Sequence, residues 1–218
     1  MRRGILRVVT GEAKGRKLKA PKMPGTRPII DRVKTALFDI LSVRVEDARF
    51  LDLFAGTGSV GIEALSRGAA SATFIEMNYS ALKLVRENLK ITGLQDRAEV
   101  MHTDAFKFLQ TYAAEKQSLA GGQKREYDII YVAPPQYQGM AARALQLLDN
   151  SELVPDTGLV IIQIHPKERS VVAEVPLTCL ALNDERRYGS TLLMFYEAGT
   201  RLFVPKEQST DVDTATEA

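Results

Sequence analysis

Between residues 49 and 164, short apolar runs alternate with longer segments whose apolar positions recur every three to four residues. The runs RFLDLF (49–54), SATFIE (71–76), AEVMH (98–102), YDIIYV (127–132) and GLVIIQI (158–164) predict strands. The segments SVGIEALSRG (59–68), YSALKLVRENLKIT (79–92), AFKFLQTYAAE (105–115) and MAARALQLLDN (140–150) predict helices. In the second of these, Leu82, Val85 and Leu89 share one face. Apolar strands alternating with helices imply a parallel sheet covered on both sides. The end of the pattern departs from this. LTCLALNDERRYGSTLLMFYE (177–197) reads as two strands joined near Tyr188 and Gly189, an antiparallel hairpin. Together these elements predict an α/β fold with a seven-stranded, mostly parallel sheet.

Upstream, ILRVV (5–9) and RKLKA (16–20) flank a turn-like GEAKG (11–15), the pattern of a β-hairpin with basic faces. A Pro/Gly-rich linker (21–28) follows. From Asp31, an expected N-cap, Val33, Ala36, Leu37, Ile40 and Leu41 mark an amphipathic helix. Residues 116–126 form a polar loop. The division expected is a basic hairpin and linker over 1–30, a main domain over 31–204, and a disordered acidic tail over 205–218.

Composition narrows the class. The chain has 218 residues, 45% hydrophobic and 26% charged, as expected of a globular protein with a real core. No apolar run approaches the roughly 18–20 residues of a membrane span, and the basic start lacks the apolar stretch of a signal peptide. One cysteine, Cys179, allows no intrachain disulfide and fits a reducing, cytoplasmic setting. With only His102 and His165 beside it, no zinc cluster is expected, and both histidines read as structural.

The net charge of +2 hides an asymmetry. Residues 1–35 carry eleven Lys and Arg against two acids, a net of +9, so the remainder carries −7. Basic residues concentrated among apolar positions and turn glycines point to a polyanion partner.

The densest chemical signal is LDLFAGTGSVGIEAL (51–65), where a strand runs through Gly56-Thr57-Gly58 into a helix. Such a loop cradles a ligand, and its G-x-G-x-x-G spacing also suits a dinucleotide or a ligand-free turn. Asp52 shifts the balance. A carboxylate there opposes a pyrophosphate and suits a cation such as S-adenosylmethionine, with its sulfonium and ammonium. Glu76 ends the second strand, where an acid can accept both ribose hydroxyls, although NAD sites share it. Asp104 follows the third strand and can either accept an adenine amino group or cap the helix that follows.

FAGTG, the acid of FIEMN, the TDAF segment and a Pro-Pro loop after the fourth strand resemble the class I S-adenosylmethionine-dependent methyltransferases. More narrowly, the chain to about residue 200 resembles the RsmD family, on the segments RVVTGEAKGRKLKAP, GTRPIIDRVKTALFDIL and RRYGSTLLMFY. That resemblance implies methyl transfer from S-adenosylmethionine to the exocyclic N2 of a guanine in small-subunit ribosomal RNA. The substrate is either the free RNA or a small-subunit assembly particle, and nothing demands more than a monomer. It also implies that Asp52, Phe54, Ala55, Gly56, Thr57 and Gly58 line the methionine end of the cofactor. Glu76 then holds the ribose, Met77 packs on the adenine, and Asp104 and Ala105 border its edge. Thr26, Arg27 and Pro28 lie near the cofactor carboxylate and the substrate entrance, and the hairpin binds RNA.

The resemblance fails at one place. After the strand YDIIYV comes Ala133-Pro134-Pro135-Gln136-Tyr137. Amino-methyltransferases carry Asp, Asn or Ser before Pro-Pro and an aromatic residue after it, to accept the target amine and stack on the base. Here Ala133 replaces the acceptor, Gln136 takes the aromatic position, and Tyr137 comes one residue late. Either Gln136 supplies the acceptor and Tyr137 the stack, or the Pro134 carbonyl suffices at a reduced rate, or the protein is a non-catalytic assembly factor that binds cofactor and RNA. Adenine-N6 and protein-glutamine methylation share the amine geometry and stay open.

Overall fold

The computed structural model describes residues 6–21, 31–114, 125–149 and 151–199. The linker with Thr26, Arg27 and Pro28, most of the polar loop and the acidic tail lie outside the described residues. The strands are β1 (Arg49–Asp52), β2 (Ser71–Glu76), β3 (Ala98–His102), β4 (Ile129–Val132), β5 (Leu159–Ile164), β6 (Leu180–Tyr188) and β7 (Thr191–Ala198). The helices are α1 (Asp31–Leu41), α2 (Ser59–Ser66), α3 (Tyr79–Thr92), α4 (Ala105–Ala114), α5 (Met140–Asp149) and α6 (Arg169–Ala173). The seven strands form one sheet in the order β3-β2-β1-β4-β5-β7-β6. Pairings from β3 to β5 are parallel, and β7 is antiparallel to both β5 and β6. The expected fold class is therefore the one observed.

Side-chain alternation along the strands builds two cores, one on each face of the sheet. Phe50, Ile129, Tyr131 and Ile161 join the core under α1, α2 and α3, together with Leu37, Ile62 and Val85. Leu51, Ile130, Val132, Val160 and Ile162 point the other way, into a core with Leu109 of α4 and Leu145 and Leu148 of α5. That is why the central strands read as unbroken apolar runs.

The differences from expectation are local. β1 stops at Asp52, two residues early, as the chain turns into the glycine loop. β4 begins at Ile129, two residues late, and the Asp128 side chain before it accepts the Arg49 N–H at 2.8 Å. A bulge between Leu182 and Asp184 interrupts the register of β6 against β7. The 3₁₀ turns at 42–45, 95–97 and 166–168 and the short α6 went unpredicted. Asp31 is not a cap. It stands within the first turn of α1, where its carboxylate accepts Arg7 Nε–H at 3.0 Å.

The N-terminal basic hairpin is present, joined by an antiparallel bridge between Arg7 and Lys17. Leu6, Val8, Ala13 and Leu18 bury themselves in the first core. Glu63 of α2 accepts the N–H groups of Val9 and Thr10 at 2.8 and 2.9 Å, and Ser66 Oγ accepts that of Ala13 at 3.0 Å. Lys34 of α1, fully buried, pairs with the same Glu63 at 3.0 Å. The hairpin is thus docked on α2 through buried polar contacts.

Candidate active site

Strand order reverses between β1 and β4, so the loops at the carboxyl ends of these two strands diverge and leave a crevice. Residues 53–58 leave β1 on one side of it. Gly56 adopts a φ of 57°, and a Cβ placed there would meet nothing within 4 Å, so the loop's outer face is open. Gly61, one turn into α2, fits differently. A Cβ there would lie 2.4 Å from the Phe74 ring, so glycine lets α2 lie against β2. Phe54 packs edge-on against Phe106, centroids 6.0 Å apart.

Asp52 lies beneath this loop with 1% of its surface exposed. One oxygen accepts the Gly61 N–H at 3.2 Å. Burial pushes its carboxyl up to about 7, against the lowering effect of the Gly61 bond and with a smaller push from Glu76. Among the described residues no cation pairs with it. Tyr131, its register partner in β4, donates its hydroxyl to Gln163 at 2.6 Å. Burial, and then the charge of Asp52, hold that phenol well above its ordinary range.

Glu76 bridges the glycine loop and α3. It accepts the Gly56 N–H at 2.8 Å on one oxygen and the Asn78 N–H at 2.7 Å on the other. A carboxylate offers about four acceptor positions, so each oxygen keeps one for a ribose hydroxyl. Met77 follows, 64% exposed, its carbonyl accepting a hydrogen bond from His102 Nε2 at 2.9 Å. Asp104 uses a single oxygen to accept the N–H groups of Phe106 and Lys107, both at 2.9 Å, and so caps α4. Its other oxygen has no partner among the described residues, so capping and adenine recognition are compatible. Ala105 is buried beside it. Thr57 is also nearly buried, and its carbonyl accepts Asn88 Nδ2–H at 2.9 Å. Arg27 lies outside the described residues.

Across the crevice, β4 ends in the proline loop. Pro134 is buried and Ala133 half-buried, while Pro135, Gln136 and Tyr137 are exposed. Tyr137 takes a φ of 62°, unusual for a residue with a side chain. Two contacts from the turn after β5 hold it there. Glu168 accepts its N–H at 2.9 Å, and its ring lies 5.4 Å from that of His165. The turn is itself locked, since His165 and Glu168 form a capping box. His165, Glu168 and Asn88 were missed as site residues. HPKE carries the spacing of a capping box, but its tie to Tyr137 spans 31 residues and leaves no local signal.

The donor set fits S-adenosylmethionine better than a dinucleotide. Three carboxylates at successive strand ends, one of them buried and without a cation among the described residues, call for a positively charged ligand without phosphates. A separate cleft of about 670 Å³ involves Gly68 and Arg97, in the turns before β2 and β3, at the opposite end of the sheet. Its guanidinium groups, Arg67 and Arg97, are already paired with Glu63 and Glu12. It takes no part in this chemistry.

A family model described as Conserved hypothetical protein 95 matches residues 6–197. Ribosomal RNA small subunit methyltransferase D of Escherichia coli K12 is 36% identical over 160 residues, 73% of this chain and 75% of that one. The solved structure of a hypothetical protein from Thermus thermophilus aligns with a TM-score of 0.70 at 32% identity, covering 89% of this chain and 100% of that one. A Salinibacter ruber RNA methyltransferase, solved with S-adenosyl-L-homocysteine, shares the fold at a TM-score of 0.56 and 16% identity, covering 86% and 99%. The match runs through the hairpin, the glycine loop, the proline loop and β7, and the chain belongs to the RsmD family of ribosomal RNA small subunit methyltransferases.

Proposed function

We propose that the chain methylates the exocyclic N2 of a guanine in small-subunit ribosomal RNA, using S-adenosylmethionine. The observation that carries this reading is Asp52, a buried carboxylate without a described cation beneath an open glycine loop, in a chain of this family. Asp52 would attract the ammonium end of the cofactor, Glu76 would accept the ribose hydroxyls, and the free oxygen of Asp104 would accept the adenine amino group. Met77 would lie against the adenine, its backbone held by His102. S-adenosylmethionine supplies an activated methyl group, so the chain's own residues need only position the acceptor. The Pro134 carbonyl and the Gln136 amide oxygen accept the two N–H bonds of the target amine and aim its lone pair. Tyr137 stacks on the extruded base. Positioning of this kind can remove several kcal/mol from a barrier.

The same reading makes the protein a cytoplasmic monomer acting on ribosomal RNA or an assembly particle. Among the described residues no helix is long and apolar enough to cross a membrane. Ala133 favours a second reading, a factor that binds cofactor and RNA without turnover, because it brings no polar group to the loop.

The test offers radiolabelled S-adenosylmethionine to the protein with naked small-subunit RNA or with particles from a strain lacking the gene. Label in N2-methylguanine is the expected result. Gln136→Ala should slow the reaction about 5–150-fold, the equivalent of one positioned hydrogen bond of ~1–3 kcal/mol. Label in an adenine or in a protein glutamine would move the substrate assignment. Cofactor binding with no label in any RNA form would establish the binding-factor reading.

A further inference from the structure

The strongest unexplained feature is a row of exposed cations on α3, against which the hairpin sets Lys19. Asn88 of α3 is fully buried, and its side chain grips the hairpin backbone. Its Oδ1 accepts the Lys19 N–H at 2.7 Å, and its Nδ2 donates to the Lys19 carbonyl at 3.0 Å. The same Nδ2 donates to the Thr57 carbonyl at 2.9 Å, so one amide fixes hairpin, α3 and glycine loop together. Lys19 Nζ also pairs with Glu87 at 2.9 Å. The hairpin is therefore not a loose charged arm, and its cations have set positions relative to the site.

On α3, Tyr79, Lys83, Arg86 and Lys90 follow at steps of four, three and four residues, which places them on one face. All four are exposed. Lys83, Arg86 and Lys90 form no ion pair with a described residue. The acid beside them, Glu87, is the one Lys19 neutralises. At the cofactor end of the stripe, Tyr79 is 54% exposed, with Lys83 Nζ 4.6 Å from its ring centroid and the His102 ring 5.6 Å away. An exposed ring beside a cation and a second aromatic ring is a platform on which an unpaired base can stack.

We infer that the docked hairpin and the outer face of α3 form one continuous track for the RNA phosphate backbone, ending at a base-stacking platform on Tyr79. This rests on the proposed function and names the surface that would hold RNA beyond the target nucleotide. Isolated charged faces are commonly only solvated. This one differs because buried hydrogen bonds fix its two halves together and its end adjoins Met77.

The test is the salt dependence of binding to small-subunit RNA. Each lost phosphate contact lowers the slope of log K against log salt by about 0.7 on a single strand and 0.9 on a duplex. The triple variant Lys83→Gln, Arg86→Gln, Lys90→Gln should lower the slope by about two and leave cofactor affinity unchanged. Tyr79→Ala should weaken RNA binding on the order of tenfold with the slope unaltered, since stacking releases no counterions. A control, Arg44→Gln, Arg186→Gln, Arg187→Gln, removes the same formal charge elsewhere and should leave the slope as it was. An unchanged slope in the first variant, an equal drop in the control, or unaltered affinity in Tyr79→Ala overturns the inference. A wild-type chain that binds cofactor but no RNA at low salt would overturn the RNA-directed function itself, a separate outcome.

Discussion

The surroundings of Asp52 oppose its charge. Burial pushes its carboxyl up to about 7, so the cofactor-free site is part protonated near neutrality. Only the ionised form attracts an ammonium. Affinity for S-adenosylmethionine should therefore fall as pH drops below about 7, approaching tenfold per unit, and decline again above about pH 8 as the cofactor's own ammonium loses its proton. Calorimetric titration from pH 5.5 to 8.5 measures this directly. Asp52→Asn should bind weakly with a flat acid limb, and a variant that keeps the wild-type slope there would remove Asp52 from the binding step. The stability sign follows from the same shift. The cost of the buried charge is absent below the carboxyl's ordinary pKa, grows as pH rises, and is complete above about 7. This residue was legible in the sequence because an acid at a strand end before glycines is a local pattern. The φ of Tyr137 was not, since its partner Glu168 lies far along the chain.

Between elements, the proline loop after β4 depends on the turn after β5. A side-chain residue in the left-handed region costs on the order of 1–3 kcal/mol and persists only where its surroundings enforce it. Glu168 provides that enforcement through the Tyr137 N–H. Glu168→Ala should lower kcat about 5–150-fold, the equivalent of ~1–3 kcal/mol, and leave cofactor affinity unchanged. In a Tyr137→Gly background, where the left-handed backbone is free of strain, the same substitution should cost much less. Equal losses in both backgrounds would mean that Glu168 acts elsewhere. At this scale the long elements were readable because apolar strands and 3.6-residue periodicity repeat over many positions. The 3₁₀ turn at 166–168 and the five-residue α6 are too short to show a period, so the turn that braces Tyr137 stayed hidden.

Across the whole molecule, the basic hairpin is the part that sequence patterning described least well. Its charge suggested an appendage, and nothing in the alternation of ILRVV or RKLKA shows what would cover Leu6, Val8 and Leu18. The structure puts all three in the core, with Glu63 and Ser66 of α2 and Asn88 of α3 satisfying the hairpin's backbone. Removing residues 1–21 would expose apolar surface worth roughly 1.5–3 kcal/mol per large side chain. It would also strip the buried pair of Lys34 and Glu63 of its cover. Glu63 would lose two N–H donors and Asn88 both of its bonds to Lys19. Leaving buried polar groups unpartnered costs about 1–3 kcal/mol each. Set against a total stability of about 5–15 kcal/mol, these losses are decisive. The truncated chain should be insoluble, or melt more than about 10 °C below the full chain, with cofactor affinity falling as Thr57 loses its anchor through Asn88. Thermal melts of both chains, with and without S-adenosylmethionine, decide the matter. A soluble core with unchanged Tm and cofactor affinity would make the hairpin the separable module that its charge alone suggested.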